Sequence, residues 1–379
     1  MSAGRYRIPF NKPGFVGNET RYIAEAIERG QISGDGHFTR ACQRLLAELL
    51  GVPKVLLTTS CTHALEMSGL LLGVEAGDEV VVPSFAFVTT ALAFTLRGAR
   101  PVFCDVRPDT LNLDPSLLER LITPRTKAIV ALHYAGVACE MDTILEIARA
   151  RGVPVVEDNA HGLFGRYKGK PLGTLGCLAT QSFHETKNFT CGEGGALVIN
   201  DPKYADRAEI LREKGTDRSR FLRGLVQKYT WVDLGSSYAL SDLLAAFLLA
   251  QLEARNTIQA RRRDLWHRYA SELAPWARAS GVTLPTVPAT CEQPYHMFYV
   301  LLADRAQRER LIAHLEQRGI LAVFHYLPLH LSEMGRRYGG RDGDCPVTEN
   351  ISARILRLPF YNQLTDAEQA EVIAAVTSL

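Results

Sequence analysis

An α/β chain with a mostly parallel sheet covered by helices is predicted by strand-like and helix-like periods that alternate between about residues 38 and 200. Beyond about Ser241 the pattern changes to a long helical stretch and then to mixed segments, which predicts a second, smaller α+β unit. The strand candidates end in small or polar residues, and in open parallel sheets ligands collect outside the carboxyl ends of the strands.

The strands are expected at Val55–Thr58, Glu79–Val82, Pro101–Cys104, Ala128–Leu132 and Val153–Glu157, then Leu178–Phe183 and Ala196–Ile199. Each is a short run of apolar and β-branched residues bounded by turn formers. Helix-length segments lie between them at Thr62–Leu72, Thr89–Arg97 and Met141–Arg151, the last closed by Gly152 in a C-cap position. Further on, Asp242–Leu273 reads as one long helical stretch, and Met297–Leu302 and Ala322–Tyr326 read as strands. The expected division is a large domain over 1–250, with an N-terminal arm, and a small domain over 251–379.

Composition narrows the function. A chain of 379 residues with 46% hydrophobic and 22% charged residues can bury two sizeable cores. A net charge of +2 without blocks of like charge gives no footprint for nucleic acid or an anionic membrane. The N-terminus lacks the apolar core of a signal peptide and no apolar run reaches membrane length, so a cytoplasmic protein is expected. Eight cysteines without a Cys-x-x-Cys pair favour free thiols over disulfides or a metal site.

The chemistry is suggested by four loops. Lys187 stands in Gln181-Ser182-Phe183-His184-Glu185-Thr186-Lys187, just before Gly192-Glu193-Gly194-Gly195. Glycines there let the backbone double back into the next strand, leaving the lysine at the mouth of the sheet, where desolvation lowers an amine's pKa. Taken alone, it could equally be a solvated loop lysine. Thr59-Ser60-Cys61-Thr62 leads directly into a helix, where free N–H groups make a phosphate site, although Ser60 or Thr62 could simply be an N-cap. Phe85 and Phe87 follow the second strand, and either could lie on a heterocycle or pack in the core. Glu157-Asp158-Asn159-Ala160-His161 follows the fifth strand and offers a carboxylate for a protonated ring nitrogen and an imidazole for a phenolic oxygen. Phosphate cradle, aromatic plate, carboxylate and lysine are together what pyridoxal 5'-phosphate (PLP) requires.

With these motifs the chain resembles the DegT/DnrJ/EryC1/StrS sugar-nucleotide aminotransferases, nearly end to end. The likeness also runs through Ser33-Gly34-Asp35-Gly36 and Tyr326-Leu327-Pro328-Leu329-His330. Ile8-Pro9-Phe10-Asn11-Lys12-Pro13, the run from His133 to Asp142, and Phe324-His325-Tyr326 are similar to the dTDP-4-amino-4,6-dideoxyhexose transaminases of the enterobacterial common antigen type.

The resemblance implies the type I PLP-dependent transferase (aspartate aminotransferase-like) fold, with a mostly parallel seven-stranded sheet and a smaller C-terminal α+β domain. It implies that Lys187 forms the imine with PLP and moves the proton, that Asp158 pairs with the pyridine nitrogen, and that His161, where glutamine is more common, meets the phenolic oxygen. Cys61, Thr62 and Ser182 would hold the phosphate, Phe87 would cover the ring, and Tyr326 and His330 would face the sugar. The family often supplies an asparagine from a neighbouring subunit in Gly-x-Asn-Tyr; this chain has Gly235-Ser236-Ser237-Tyr238, so Ser237 would take that place in a homodimer with shared sites. The implied reaction moves the amino group of L-glutamate to C4 of a dTDP-4-keto-6-deoxyhexose. Transamination at C3 and a non-catalytic PLP-binding regulator are the alternatives, whereas a sugar 3-dehydratase would carry histidine in place of Lys187.

Overall fold

The computed structural model describes residues 6–379. Its central sheet is built from β1 (Lys54–Thr58), β2 (Glu79–Pro83), β3 (Arg100–Cys104), β4 (Thr126–Leu132) and β5 (Val155–Asp158), followed beyond a short hairpin of β6 (Arg166–Tyr167) and β7 (Lys170–Pro171) by β8 (Leu178–Ser182) and β9 (Gly195–Ile199). The seven strands lie in the order β1-β9-β8-β5-β4-β2-β3, all pairs being parallel except those that β9 makes with β1 and β8.

Two-residue periodicity sorts the strand side chains onto two faces. Val80, Val82, Ala128 and Val130 pack in one core with Leu65 and Phe94, while Val81, Ile129 and Ala131 pack in another with Ile144 and Met141. A third core joins Ala196 and Val198 of β9 to the helices His37–Leu50 and Asp242–Glu253. β5 begins at Val155 rather than Val153, because Gly152 turns left-handed (φ 66°) and Val153 N–H closes the preceding helix on the carbonyl of Ala148.

The expected long helix is two helices, Asp242–Glu253 and Arg255–Ala279, meeting at Ala254, whose ψ of 10° interrupts the helical run. After a two-residue strand, β10 (Cys291–Glu292), which extends the β6–β7 hairpin, the C-terminal part holds β11 (Tyr299–Leu301) paired antiparallel with β12 (Ile355–Arg357). Ala322–Tyr326 is not a strand: Val323 makes an isolated bridge to Arg357, and Tyr326, at φ 25°, breaks the extended run. Ile8 hydrogen-bonds across to Gly319 and Leu321 and joins the core formed by residues 265–376, so the N-terminal arm packs on the C-terminal part. Among the described residues, no helix is long and apolar enough to cross a membrane.

Candidate active site

A cleft of about 770 Å³ opens at the carboxyl ends of β5 and β8. Cys61, Thr62, Phe87, Asp158, His161, Ser182, Lys187 and Tyr326, all singled out in the sequence, line it together.

The helix Cys61–Leu71 starts at this cleft. Ser60 caps it by accepting the N–H of His63 at 3.1 Å, which leaves the N–H groups of Cys61 and Thr62 without intrahelical partners. Gly195 makes the cradle possible, since a Cβ there would stand 2.3 Å from the Ser60 carbonyl carbon and 2.4 Å from the Cys61 nitrogen. The turn before it needs Gly192, at φ 85°. The Cys61 thiol is pushed up to about 12 by burial and then by Asp158, so it is a neutral neighbour of Thr180 and not a nucleophile.

Asp158 ends β5, fully buried, and accepts hydrogen bonds from Thr90 Oγ1 at 2.7 Å and from the N–H of Ala160 at 3.3 Å. Burial raises its pKa, against the opposing pull of these bonds and of Lys187. The strand end is fixed by its neighbour Glu157, which accepts the N–H groups of Gly173, Leu175 and Gly176 and a bond from His133 Nε2 at 2.9 Å. His133 Nδ1 accepts the Cys139 N–H, so the proton it shares with Glu157 is on Nε2.

Lys187 is half-buried, with its remaining surface turned into the cleft, and desolvation lowers its pKa to about 8. An amine with this pKa is in part unprotonated near neutral pH and can attack a carbonyl. Because the folded pKa lies below the unfolded one, the unfolded chain binds more protons between about pH 8 and 10.5, and stability rises with pH through that window. Cofactor-free Lys187→Met is therefore expected to be more stable than the cofactor-free parent at pH 7 by up to about 3 kcal/mol. In urea denaturation the gap should close as pH approaches 10; a gap that does not change with pH counts against a desolvated amine.

His161 is buried and accepts the Ala135 N–H on Nδ1 at 3.3 Å, which places its proton on Nε2, the atom 3.5 Å from the Tyr326 hydroxyl. Burial, then Lys187 and Arg357, hold its pKa well below the usual histidine range, so it presents a neutral N–H donor to the cleft. His296, absent from the sequence reading, stacks on it with ring centres 4.4 Å apart and is oriented by Asn188 Oδ1 at 2.9 Å.

The two phenylalanines differ in exposure. Phe85 is fully buried against Tyr134 and Tyr326, whereas Phe87 is 55% exposed on the cleft wall. Tyr326 reaches the cleft in a strained left-handed conformation (φ 25°), held by Ser352 Oγ on its carbonyl at 2.8 Å.

One expected site residue is not brought there. His330 is fully buried behind the cleft, with Nδ1 2.6 Å from Ser84 Oγ and Nε2 3.0 Å from Glu349, so it fastens the 327–330 loop and does not reach a ligand. Ser237 is exposed on a surface segment and does not line the cleft of its own chain. Arg357, at the end of β12, lines the cleft and was missed; an arginine inside the apolar run Ile355–Leu358 was the signal.

A helix start opened by a glycine, a buried carboxylate, a desolvated lysine and an exposed aromatic around one cleft fit PLP, and fold and site define a PLP-dependent aminotransferase. The model of the DegT/DnrJ/EryC1/StrS aminotransferase family matches residues 15–377. The chain belongs to this family and is a sugar aminotransferase. It is 35% identical over 374 residues to GDP-perosamine synthase of Caulobacter vibrioides, covering 98% of this chain and 97% of the relative. Among solved structures, the aminotransferase TlmJ of Streptoalloteichus hindustanus is 34% identical with a TM-score of 0.88, and 98% of each chain is covered. The putative sugar aminotransferase Spr1654 of Streptococcus pneumoniae, solved in its PLP form, is 27% identical with a TM-score of 0.90, again over 98% of each chain.

Proposed function

We propose that this enzyme moves the amino group of L-glutamate to C4 of a dTDP-4-keto-6-deoxyhexose, dTDP-4-keto-6-deoxyglucose being the substrate of choice. The observation that carries amino transfer is the desolvated Lys187 amine in one cleft with buried Asp158. A nucleotide sugar is supported by the relative named GDP-perosamine synthase, and position C4 by the sequence resemblance around Tyr326.

When bound, PLP supplies an aldehyde for the amine and a ring that takes up the electron pair of the breaking Cα–H bond. In this reading Lys187 holds the cofactor, then takes the proton from Cα of glutamate and returns it on the cofactor's C4' side. Asp158 keeps the ring nitrogen protonated, and His161 donates Nε2–H to the phenolic oxygen. The free N–H groups of Cys61 and Thr62, with the Ser182 hydroxyl, hold the phosphate, and Phe87 covers the ring.

A homodimer belongs to the same reading. Ser237 follows a segment whose Leu222, Leu225, Trp231, Val232 and Leu234 are exposed, Trp231 by 77%, an apolar surface that a second copy would cover while delivering Ser237 to its partner's cleft. Trp231→Glu is expected to shift the mass in light scattering from dimer to monomer and to lower activity with it; a monomeric parent protein would end this part of the reading.

Incubation with dTDP-4-keto-6-deoxyglucose and glutamate, followed by NMR of the product, tests the reaction. A dTDP-4-amino-4,6-dideoxyhexose is expected. Amination at C3, or product only from a GDP-linked sugar, would replace the proposed substrate.

A further inference from the structure

Lys187 and His296 share a second cavity, of about 10 Å³, that adjoins the cleft. Ser182 also lines it, and Leu163 and Phe189 supply apolar wall. This is the space of a single water molecule, and a buried water persists where several polar groups meet it.

Which atom His296 offers there is fixed by its neighbours. Asn188, next in the chain to Lys187, donates its amide nitrogen to the Pro294 carbonyl at 2.7 Å and to Gln259 Oε1 at 3.3 Å, so its oxygen is the atom left for His296 Nδ1. The ring proton is therefore on Nδ1. Burial, then His161, Lys187, Arg262 and Arg357, hold the pKa of His296 well below the usual histidine range, so the ring is neutral. Nε2 is left as an acceptor, and among the described residues it has no hydrogen-bond partner.

The ring is also rigidly placed. It stacks on His161 with 18° between the planes, and Arg262 donates to the carbonyls of Tyr295 at 2.8 Å and of His296 at 2.6 Å. His161 carries its proton on Nε2 and His296 on Nδ1, so the stacked pair presents one donor and one acceptor. In the proposed reaction the donor meets the phenolic oxygen, and the acceptor has no part yet.

We propose that the small cavity holds one water that accepts from the Lys187 amine and donates to His296 Nε2, which makes His296 a positioning residue for the proton carrier. When Lys187 takes the proton from Cα, its lone pair becomes an N–H bond, and the water accepts one N–H of the resulting ammonium. No proton passes to His296. The lysine is only held in place, and gives its proton up on the C4' side. This rests on Lys187 as the proton carrier of the proposed transamination, but on the identity of neither donor nor sugar.

The first test uses cofactor-free protein. Competitive acetylation by trace acetic anhydride, read by mass spectrometry as a function of pH, titrates the Lys187 amine among its other charged neighbours Cys61, Asp158 and Arg357. His296→Phe keeps the stacked ring without the acceptor and should lower the Lys187 pKa by about one unit, the loss of a water-mediated bond to the ammonium. Asn188→Leu leaves the ring in place but frees its tautomer, and should shift Lys187 in the same direction. His296→Gln restores an acceptor oxygen and should fall between His296→Phe and the parent. A high-resolution crystal structure of the parent should show a water within hydrogen-bond distance of both Lys187 Nζ and His296 Nε2.

The second test uses the holoenzymes, following conversion of the pyridoxal to the pyridoxamine form with glutamate and with Cα-deuterated glutamate. His296→Phe should lower the maximal rate by about tenfold, less than loss of the proton-transfer group itself. Half-saturation by glutamate should stay within about twofold, and the deuterium effect should be kept or raised, because the step that suffers is proton transfer. A dry cavity, a Lys187 that titrates as in the parent in both His296→Phe and Asn188→Leu, or a rate loss matched by weaker glutamate binding with a smaller deuterium effect would each overturn the assignment. If glutamate converts no parent protein, the reaction proposed above fails, while the titration of Lys187 still decides the role of His296.

Discussion

Lys187→Ala is expected to lower steady-state transamination by about 10⁴-fold, the upper range for loss of a positioned proton-transfer group. Its circular dichroism should match the parent, because among the described residues the side chain makes no hydrogen bond, and Lys187 N–H to His184 carbonyl survives the change. Lys187→Arg should fail equally, since guanidinium neither forms the bond to the cofactor nor gives up a proton near neutral pH. Turnover retained in either variant would defeat the assignment of Lys187.

Asp158→Asn is expected to cost about 10³-fold, the range seen when one preorganised electrostatic partner of a developing charge is removed. The amide keeps the shape and can still accept from Thr90 Oγ1, so the loss isolates the charge. Burial already makes the ionised carboxylate unfavourable, so the cofactor-free variant should melt no lower than the parent. The bound cofactor's absorbance should shift as its ring nitrogen loses the proton. Activity within tenfold of the parent would remove Asp158 from the ring nitrogen.

The sheet was readable because its strands are short apolar runs whose alternating faces each meet a core, as Val80, Val81 and Val82 show. The grouping of candidate residues at one cleft was readable for a related reason: Asp158 and Ser182 end their strands and the Ser60–Thr62 turn follows β1, and a mostly parallel sheet sends those ends to one edge. What escaped depends on partners far away in the chain. Arg357 looks like an outward-facing strand residue until Phe10, from the opposite terminus, is seen against it. His330 looked like a ligand contact because nothing nearby announces Ser84 or Glu349. The break at Ala254 carries neither glycine nor proline, so helix periodicity ran through it.

Antiparallel β9 has a consequence for the order in which the molecule is assembled. Its first residue, Gly195, pairs with Thr58 on one side and Ser182 on the other. The helix start at Ser60 and the loop of Lys187 therefore come together only when β9, which follows β8 by a short loop, has also paired with β1, far earlier in the chain. Such non-local pairing is slow to form. In refolding, cofactor absorbance is expected to return after the helical signal, because closing the sheet and completing the catalytic centre are a single event.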